Sequence, residues 1–118
     1  MNNKDLPQEI NQLHARICSA ISDPHRILLI YAIAEQTRNV NGLADSVGIS
    51  QSAASRHLKV LRERGIIQFQ RDGSQVIYSL TDPRYIQALD LLREVMLDQI
   101  AHQADLINHT QAMEKEDL

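Results

Sequence analysis

One cysteine, Cys18, stands in 118 residues, so no intrachain disulfide framework holds this chain. No apolar run approaches the roughly 20 residues that a membrane helix needs. The opening residues, Met1 to Pro7, carry no apolar stretch of the signal-peptide kind. No Gly-rich phosphate loop, nucleophile–base pairing or coherent carboxylate pair occurs, which points away from an enzyme and implies no cofactor. Internal repeats, low-complexity tracts and linkers are missing too. A hydrophobic content of 43% excludes wholesale disorder. What remains is a soluble, cytoplasmic protein, not bound to membranes, with one domain over residues 1–118 and a modest core.

Cations are also few, and the net charge is −3. Their distribution matters more than their sum. Residues 51–75 hold Arg56, Lys59, Arg62, Arg64 and Arg71 against Glu63 and Asp72, a local +3. Residues 82–118 hold three cations against eight acids, a local −5. Nucleic-acid affinity comes from local phosphate neutralisation. The acidic C-terminal third is expected to point away from DNA.

The segment from Ser50 to Ile66 carries the most information. It reads as a helix with two incompatible faces. Ala54, Leu58 and Leu61 recur at i, i+4, i+7 and form a core stripe. Gln51, Ser52, Ser55, Arg56, Lys59 and Arg62 form the other face, with hydrogen-bonding groups first and cations farther along. A helix reading DNA needs that order, because its first turns meet base edges and its cations meet phosphates.

The neighbouring segments place this helix. Ile10, Leu13, Ile17, Ala20 and Ile21 predict a first helix over 8–21. Asp23 then caps a second helix to about Gln36, with Pro24 at its first position. Asn39 caps a short third helix whose stripe is Val40, Leu43, Ala44 and Val47. Gly48 fits the left-handed residue that ends it, and Ser50 caps the next. A small residue, a glycine four later and a tight turn are the grammar of a helix-turn-helix. After Gly65 the period changes to that of strands, 66–71 and 74–80, around an Asp72-Gly73 hairpin turn with positive φ at both residues. Such a ribbon must pack on the helices to persist. Thr81-Asp82-Pro83 opens a last helix, about 83–112. Its stripe of Leu89, Leu92, Met96, Ile100, Ala104 and Ile107 exceeds what one small domain can bury. It is expected to pack on a partner chain, together with the first helix. Residues 113–118 read as a frayed end.

The fold expected is therefore mainly α with a β-hairpin, a winged helix-turn-helix in the order α-α-α-α-β-β-α. The chain resembles the ArsR/SmtB family of winged-helix repressors over about residues 10 to 110. The resemblance rests on Ser22-Asp23-Pro24-His25-Arg26, Leu43-Ala44, the Ser-x-His-Leu stretch from Ser55 to Leu58, Gly65, and Tyr78-x-Leu80. It implies a homodimeric repressor that leaves its operator when an inducer binds, often a metal or metalloid ion.

The recognition helix is expected over about 51–64 and the wing over about 66–80. Gln51, Ser52, Ser55 and Arg56 would face base edges, since Gln pairs bidentately with adenine and Arg with guanine. Lys59 and Arg62 would reach phosphates. Arg71, Ser74 and Gln75 at the wing tip would touch backbone or minor groove. The partner is then double-stranded DNA with a palindromic operator. The competing reading of another class is a winged-helix protein-interaction module, which the local +3 opposes. His57, between the two faces, is expected to pack on core or backbone rather than to bind a ligand.

Three inducer sites implied by the resemblance can be compared with the residues. The thiol site needs Cys-x-Cys where this chain has Asn39-Val40-Asn41, and asparagine supplies no thiolate. The zinc-type site on the last helix needs Asp-x-His and a second His eleven residues on. The chain offers Asp82-x-Arg84, then Val95 and Asp98, so that site is lost. Farther along, Asp98, His102, Asp105 and His109 share one helical face. They suit zinc, nickel or cobalt, although Asp–His pairs at i, i+4 also stabilise a helix without metal, and that reading is favoured. Cys18, with His14 one turn before it, is a redox candidate if exposed and acidic. A small buried hydrophobe is the commoner role and the one expected. The inducer is left unidentified.

Overall fold

A computed structural model describes residues 5–116. The element order is the expected one: α1 (Leu6–Leu13), α2 (Pro24–Glu35), α3 (Val40–Val47), α4 (Gln51–Glu63), β1 (Ile67–Asp72), β2 (Gln75–Leu80) and α5 (Arg84–Glu116). The chain divides into two compact units, one ending at Ile86 and one comprising α5 from Gln87 onward.

Local rules account for most boundaries. Asp23 accepts the His25 N–H at 2.8 Å, and Pro24 follows with its φ preset for a helix. Asn39 accepts the Gly42 N–H at 2.9 Å and starts α3. Gly48, at φ +78°, ends α3 by donating to the Ala44 carbonyl at 2.9 Å. Ser50 accepts the Ala53 N–H at 3.1 Å and starts α4. α2 lies at the centre and packs against α3, α4 and β2. The core is Leu29, Ile30 and Ile33 of α2, Leu43 of α3, Leu58 and Leu61 of α4, then Ile66 and Ile67, all essentially closed to solvent. Each such side chain contributes roughly 1.5–3 kcal/mol relative to leaving it exposed.

The first helix departs from the expected single run over 8–21. α1 stops at Leu13, and His14–Cys18 form one wider π turn in which the Ser19 N–H donates to the His14 carbonyl at 3.0 Å. A 3₁₀ turn, Ala20–Ser22, follows. The Ser19 hydroxyl donates to the Ala15 carbonyl at 2.5 Å, and Ala20 is buried completely. The apolar spacing over 8–21 fits a regular helix, yet burial of Ala20 and the extended backbone of Asp23 before Pro24 set a different winding.

The hairpin is antiparallel, pairing Ile67 with Leu80, Phe69 with Tyr78 and Asp72 with Gln75. Its two-residue loop is therefore Gly73-Ser74, not Asp72-Gly73. Among the non-glycine residues described none has positive φ, and Gly73 alone of the loop does, at +65°. Positive φ at the first central residue only is the type II′ pattern, whose twist also suits a hairpin. The ribbon is tied on both sides. β1 packs on α4, and β2 packs on α2 and α3. The Tyr78 N–H donates to the Arg38 carbonyl at 3.1 Å, adding a one-residue third strand just before the Asn39 cap.

Thr81 does not cap α5. Its hydroxyl donates to the Gly65 carbonyl at 2.7 Å, while Asp82 accepts the Arg84 N–H at 2.9 Å and opens α5. α5 extends to Glu116, so residues 113–116 are helical rather than frayed, and residues 117–118 lie outside those described. Of its predicted stripe, Leu89 is buried, whereas Leu92, Met96, Ile100 and Ile107 are each about half exposed or more. No helix among the described residues is long and apolar enough to cross a membrane.

Candidate nucleic-acid interface

The tight turn between α3 and α4 comes first in building this surface. The Gly48 and Ile49 N–H groups both donate to the Ala44 carbonyl, at 2.9 and 3.1 Å. Ala44 is buried, and its small side chain lets the two helices meet there. α4 then anchors through Ala54, Leu58 and Leu61, all at 0% exposure. With that stripe fixed, the 3.6-residue period turns Gln51, Ser52, Ser55, Arg56, Lys59 and Arg62 outward, and all six are exposed.

The wing adds Arg71, Ser74 and Gln75, also exposed. Ser55 of α4, Ser74 and Gln75 of the wing, and Asn39 and Asn41 of the third-helix start line one open groove of about 390 Å³. The fold thus brings one recognition-helix residue and two wing residues beside the two asparagines. Arg62 has a partner that sequence spacing did not reveal. Its guanidinium carbon lies 5.0 Å from the centroid of the Phe69 ring, which in turn tilts against Tyr78 with centroids 6.3 Å apart. Lys59 lies 4.0 Å from Glu63 in an exposed pair that holds it only loosely.

His57 sits at the back edge of α4 and is half-buried. Two polar partners join it there. Its ring stacks on that of His25, centroids 5.8 Å apart, and its Nδ1 lies 3.4 Å from Arg26 Nη1. Partial burial lowers its pKa, opposed by the nearby Asp23 carboxylate, so the neutral ring is favoured at neutral pH. Asp23 is held below the usual carboxylate range, chiefly by the His25 backbone N–H. Among the described residues, Asp23, His25 and His57 form the one group whose ligand atoms all lie within 4.8 Å of one another. Sequence reasoning missed this cluster, since His25 and His57 lie on different helices. The Asp-Pro-His string was the available signal.

The last-helix residues Asp98, His102, Asp105 and His109 are all exposed on α5. Arg84, where a histidine would be needed, grips Asp82 with Nη2 to Oδ2 at 2.8 Å. Hydrogen bonds from the Arg84 side chain and N–H bring the Asp82 pKa down to about 2. Cys18 is exposed rather than buried, because the π turn carries it to the outside while Ala20 takes the core position.

Comparison with known proteins follows the same lines. Residues 23–68 match the family described as "Bacterial regulatory protein, arsR family". The chain is similar to the HTH-type transcriptional repressor SmtB of Mycobacterium tuberculosis, 31% identical over 96 residues, 81% of this chain and 66% of that one. It thus spans just under two thirds of that relative. It is similar to the biofilm growth-associated repressor of Xylella fastidiosa, 30% identical over 99 residues, 84% of this chain and 86% of the other. Its fold matches the solution structure of a homodimeric winged helix-turn-helix DNA-binding domain from Mycobacterium bovis, with a TM-score of 0.73 at 21% identity, covering 86% and 93% of the two chains. On the shared helix-turn-helix and the likeness along most of its length, the chain belongs to the arsR family of bacterial regulatory proteins, which are DNA-binding regulators and not enzymes.

Proposed function

We propose that the chain is a sequence-specific DNA-binding repressor, acting as a homodimer on a palindromic operator. Its inducer is of neither the thiol nor the Asp-x-His metal type. The observation that carries this reading is the two-faced α4, with a closed apolar stripe and six exposed polar side chains beside a wing that offers Arg71, Ser74 and Gln75. Gln51, Ser52, Ser55 and Arg56 meet base edges in the major groove, and Lys59 and Arg62 meet phosphates. Arg71, Ser74 and Gln75 reach the flanking backbone or minor groove.

The dimer reading has two supports. Leu6, Ile10 and Leu13 on α1 are exposed at i, i+4, i+7, and α5 exposes Leu92, Met96, Ile100 and Ile107. Apolar stripes of this kind mark association surfaces. The Mycobacterium bovis domain of the same fold is homodimeric. A two-fold dimer reads two half-sites, hence the palindrome. As for the signal, Asn39 is engaged as a helix cap and Asn41 is an exposed amide, so neither can hold a soft ion as thiolate does. Arg84 brings a cation where the zinc-type site needs an imidazole.

The test is fluorescence anisotropy with labelled duplex from upstream of the chain's own gene, in a salt series. A repressor of this design binds it tightly and loses affinity steeply as salt rises. Weak binding with no preference over scrambled duplex, or binding indifferent to salt, refutes the reading and favours a protein-interaction module.

A further inference from the structure

Asp23 and His25 stand at the start of α2, and His57 stands in the middle of α4. The fold brings them together away from the outward face of α4. His25 Nδ1 lies 3.5 Å from Asp23 Oδ1, the two imidazole rings stack at 5.8 Å with 29° between their planes, and one ligand atom from each residue falls within 4.8 Å of the others. We infer that these three side chains form a binding site for one zinc, cobalt or nickel ion per chain, joining the first turn of α2 to the recognition helix.

The donor set selects the ion. Two imidazole nitrogens and a carboxylate oxygen suit borderline divalent cations, and a water completes a tetrahedron. Bonds of about 2.0–2.1 Å set neighbouring ligand atoms roughly 3.3 Å apart. The cluster must therefore tighten by about 1–1.5 Å, within reach of rotation of the exposed His25 side chain. Asp23 uses one oxygen to cap α2, which leaves its carboxylate with acceptor capacity for an ion.

Two features oppose the ion and set its strength. The positive end of α2 faces it. Arg26 Nη1 lies 3.4 Å from His57 Nδ1, a contact that must break when the ring turns to a metal. Arg26 has other anchors, donating to the Ala20 carbonyl at 2.5 Å and the Ser19 carbonyl at 3.2 Å, so it can withdraw without being stranded. The balance gives moderate rather than structural-site affinity.

Cobalt titration of the full chain, read by the visible bands of tetrahedral cobalt and by zinc competition, tests the site with no DNA present. The expected result is one ion per chain. His25→Ala and His57→Gln should each lower affinity by at least about tenfold, with unchanged helical circular dichroism. His25 is exposed, so its variant tests the site even if His57→Gln were to unfold. A His102→Ala/His109→Ala double variant and Cys18→Ser should bind as the parent does. No saturable binding, or binding unaltered in His25→Ala, overturns the site. Loss of the ion in the double variant with retention in His25→Ala places it on α5 and overturns it equally.

Discussion

The guanidinium of Arg62 lies over the ring of Phe69, its central carbon 5.0 Å from the ring centroid. This contact joins the last turn of the recognition helix to the first strand of the wing. It aims a cation that an unattached side chain would leave wandering. Both residues are exposed, so the pair contributes about 0.5–1 kcal/mol. Urea unfolding of Arg62→Ala, Phe69→Ala and the double variant should return a coupling energy of that size. A coupling near zero would show that the two groups meet without attraction.

On the proposed reading, Arg56 meets base edges and Lys59 meets phosphates. Arg56→Ala should cost about 1–3 kcal/mol of operator affinity and relax preference at one base pair. Lys59→Ala should weaken all sequences alike and reduce the salt slope by about 1. Anisotropy on an operator and its single-base variants reads both. Identical profiles for the two variants would contradict the division of roles along α4.

Glycine at 48 and glycine at 42 should respond oppositely to alanine. Gly48 sits at φ +78°, and a Cβ there would meet nothing within 4 Å, so its cost is backbone strain of roughly 1–2 kcal/mol. Gly42 lies in the first turn of α3, where a Cβ would make contacts no closer than 3.4 Å. Gly42→Ala should stabilise by about 0.5–1 kcal/mol through the unfolded chain. Thermal melts of both variants check the pair of signs.

Leu58 is closed to solvent on the buried side of α4. Leu58→Ala should destabilise by about 2–5 kcal/mol, with the spread set by how far the cavity collapses. Denaturant titration gives the value. A change below 1 kcal/mol would mean that α4 is not anchored by this stripe.

Acid should weaken the start of α5. Asp82 has a pKa of about 2 in the folded chain, against roughly 3.9 unfolded. The unfolded state therefore binds the proton first as pH falls, and stability rises with pH across that window. The contribution is complete above about pH 4 and is lost toward pH 2. Asp82→Asn cannot take up the proton, so the difference in melting temperature between parent and variant should shrink as pH drops through this range. A constant difference would leave the Arg84 contact without effect on stability.

Punctuation was the legible part of this fold. Asp23, Asn39, Gly48 and Ser50 act through atoms two to four residues away, so their roles follow from short strings. The α4 stripe was legible for the same reason. The break in the first helix was not, because apolar spacing gave Ala20 its inward place but could not report the π and 3₁₀ turns through which the backbone reaches it. Its consequence at Cys18 was lost with it. The hairpin loop slipped by one residue, since Asp72-Gly73 and Gly73-Ser74 are both acceptable turn pairs and register decides between them. Arg62 with Phe69, and His25 with His57, depend on how separate elements dock, which no local pattern encodes.

The backbone bond from Tyr78 to Arg38 has one further consequence. Arg38 immediately precedes the cap of α3, so the ribbon and the helix pair share a fixed point. Their spacing is a preset gauge. The loss of entropy on holding the ribbon in place occurs as the chain folds, so on the proposed reading a duplex lying across helix and ribbon meets two contacts whose spacing is already set.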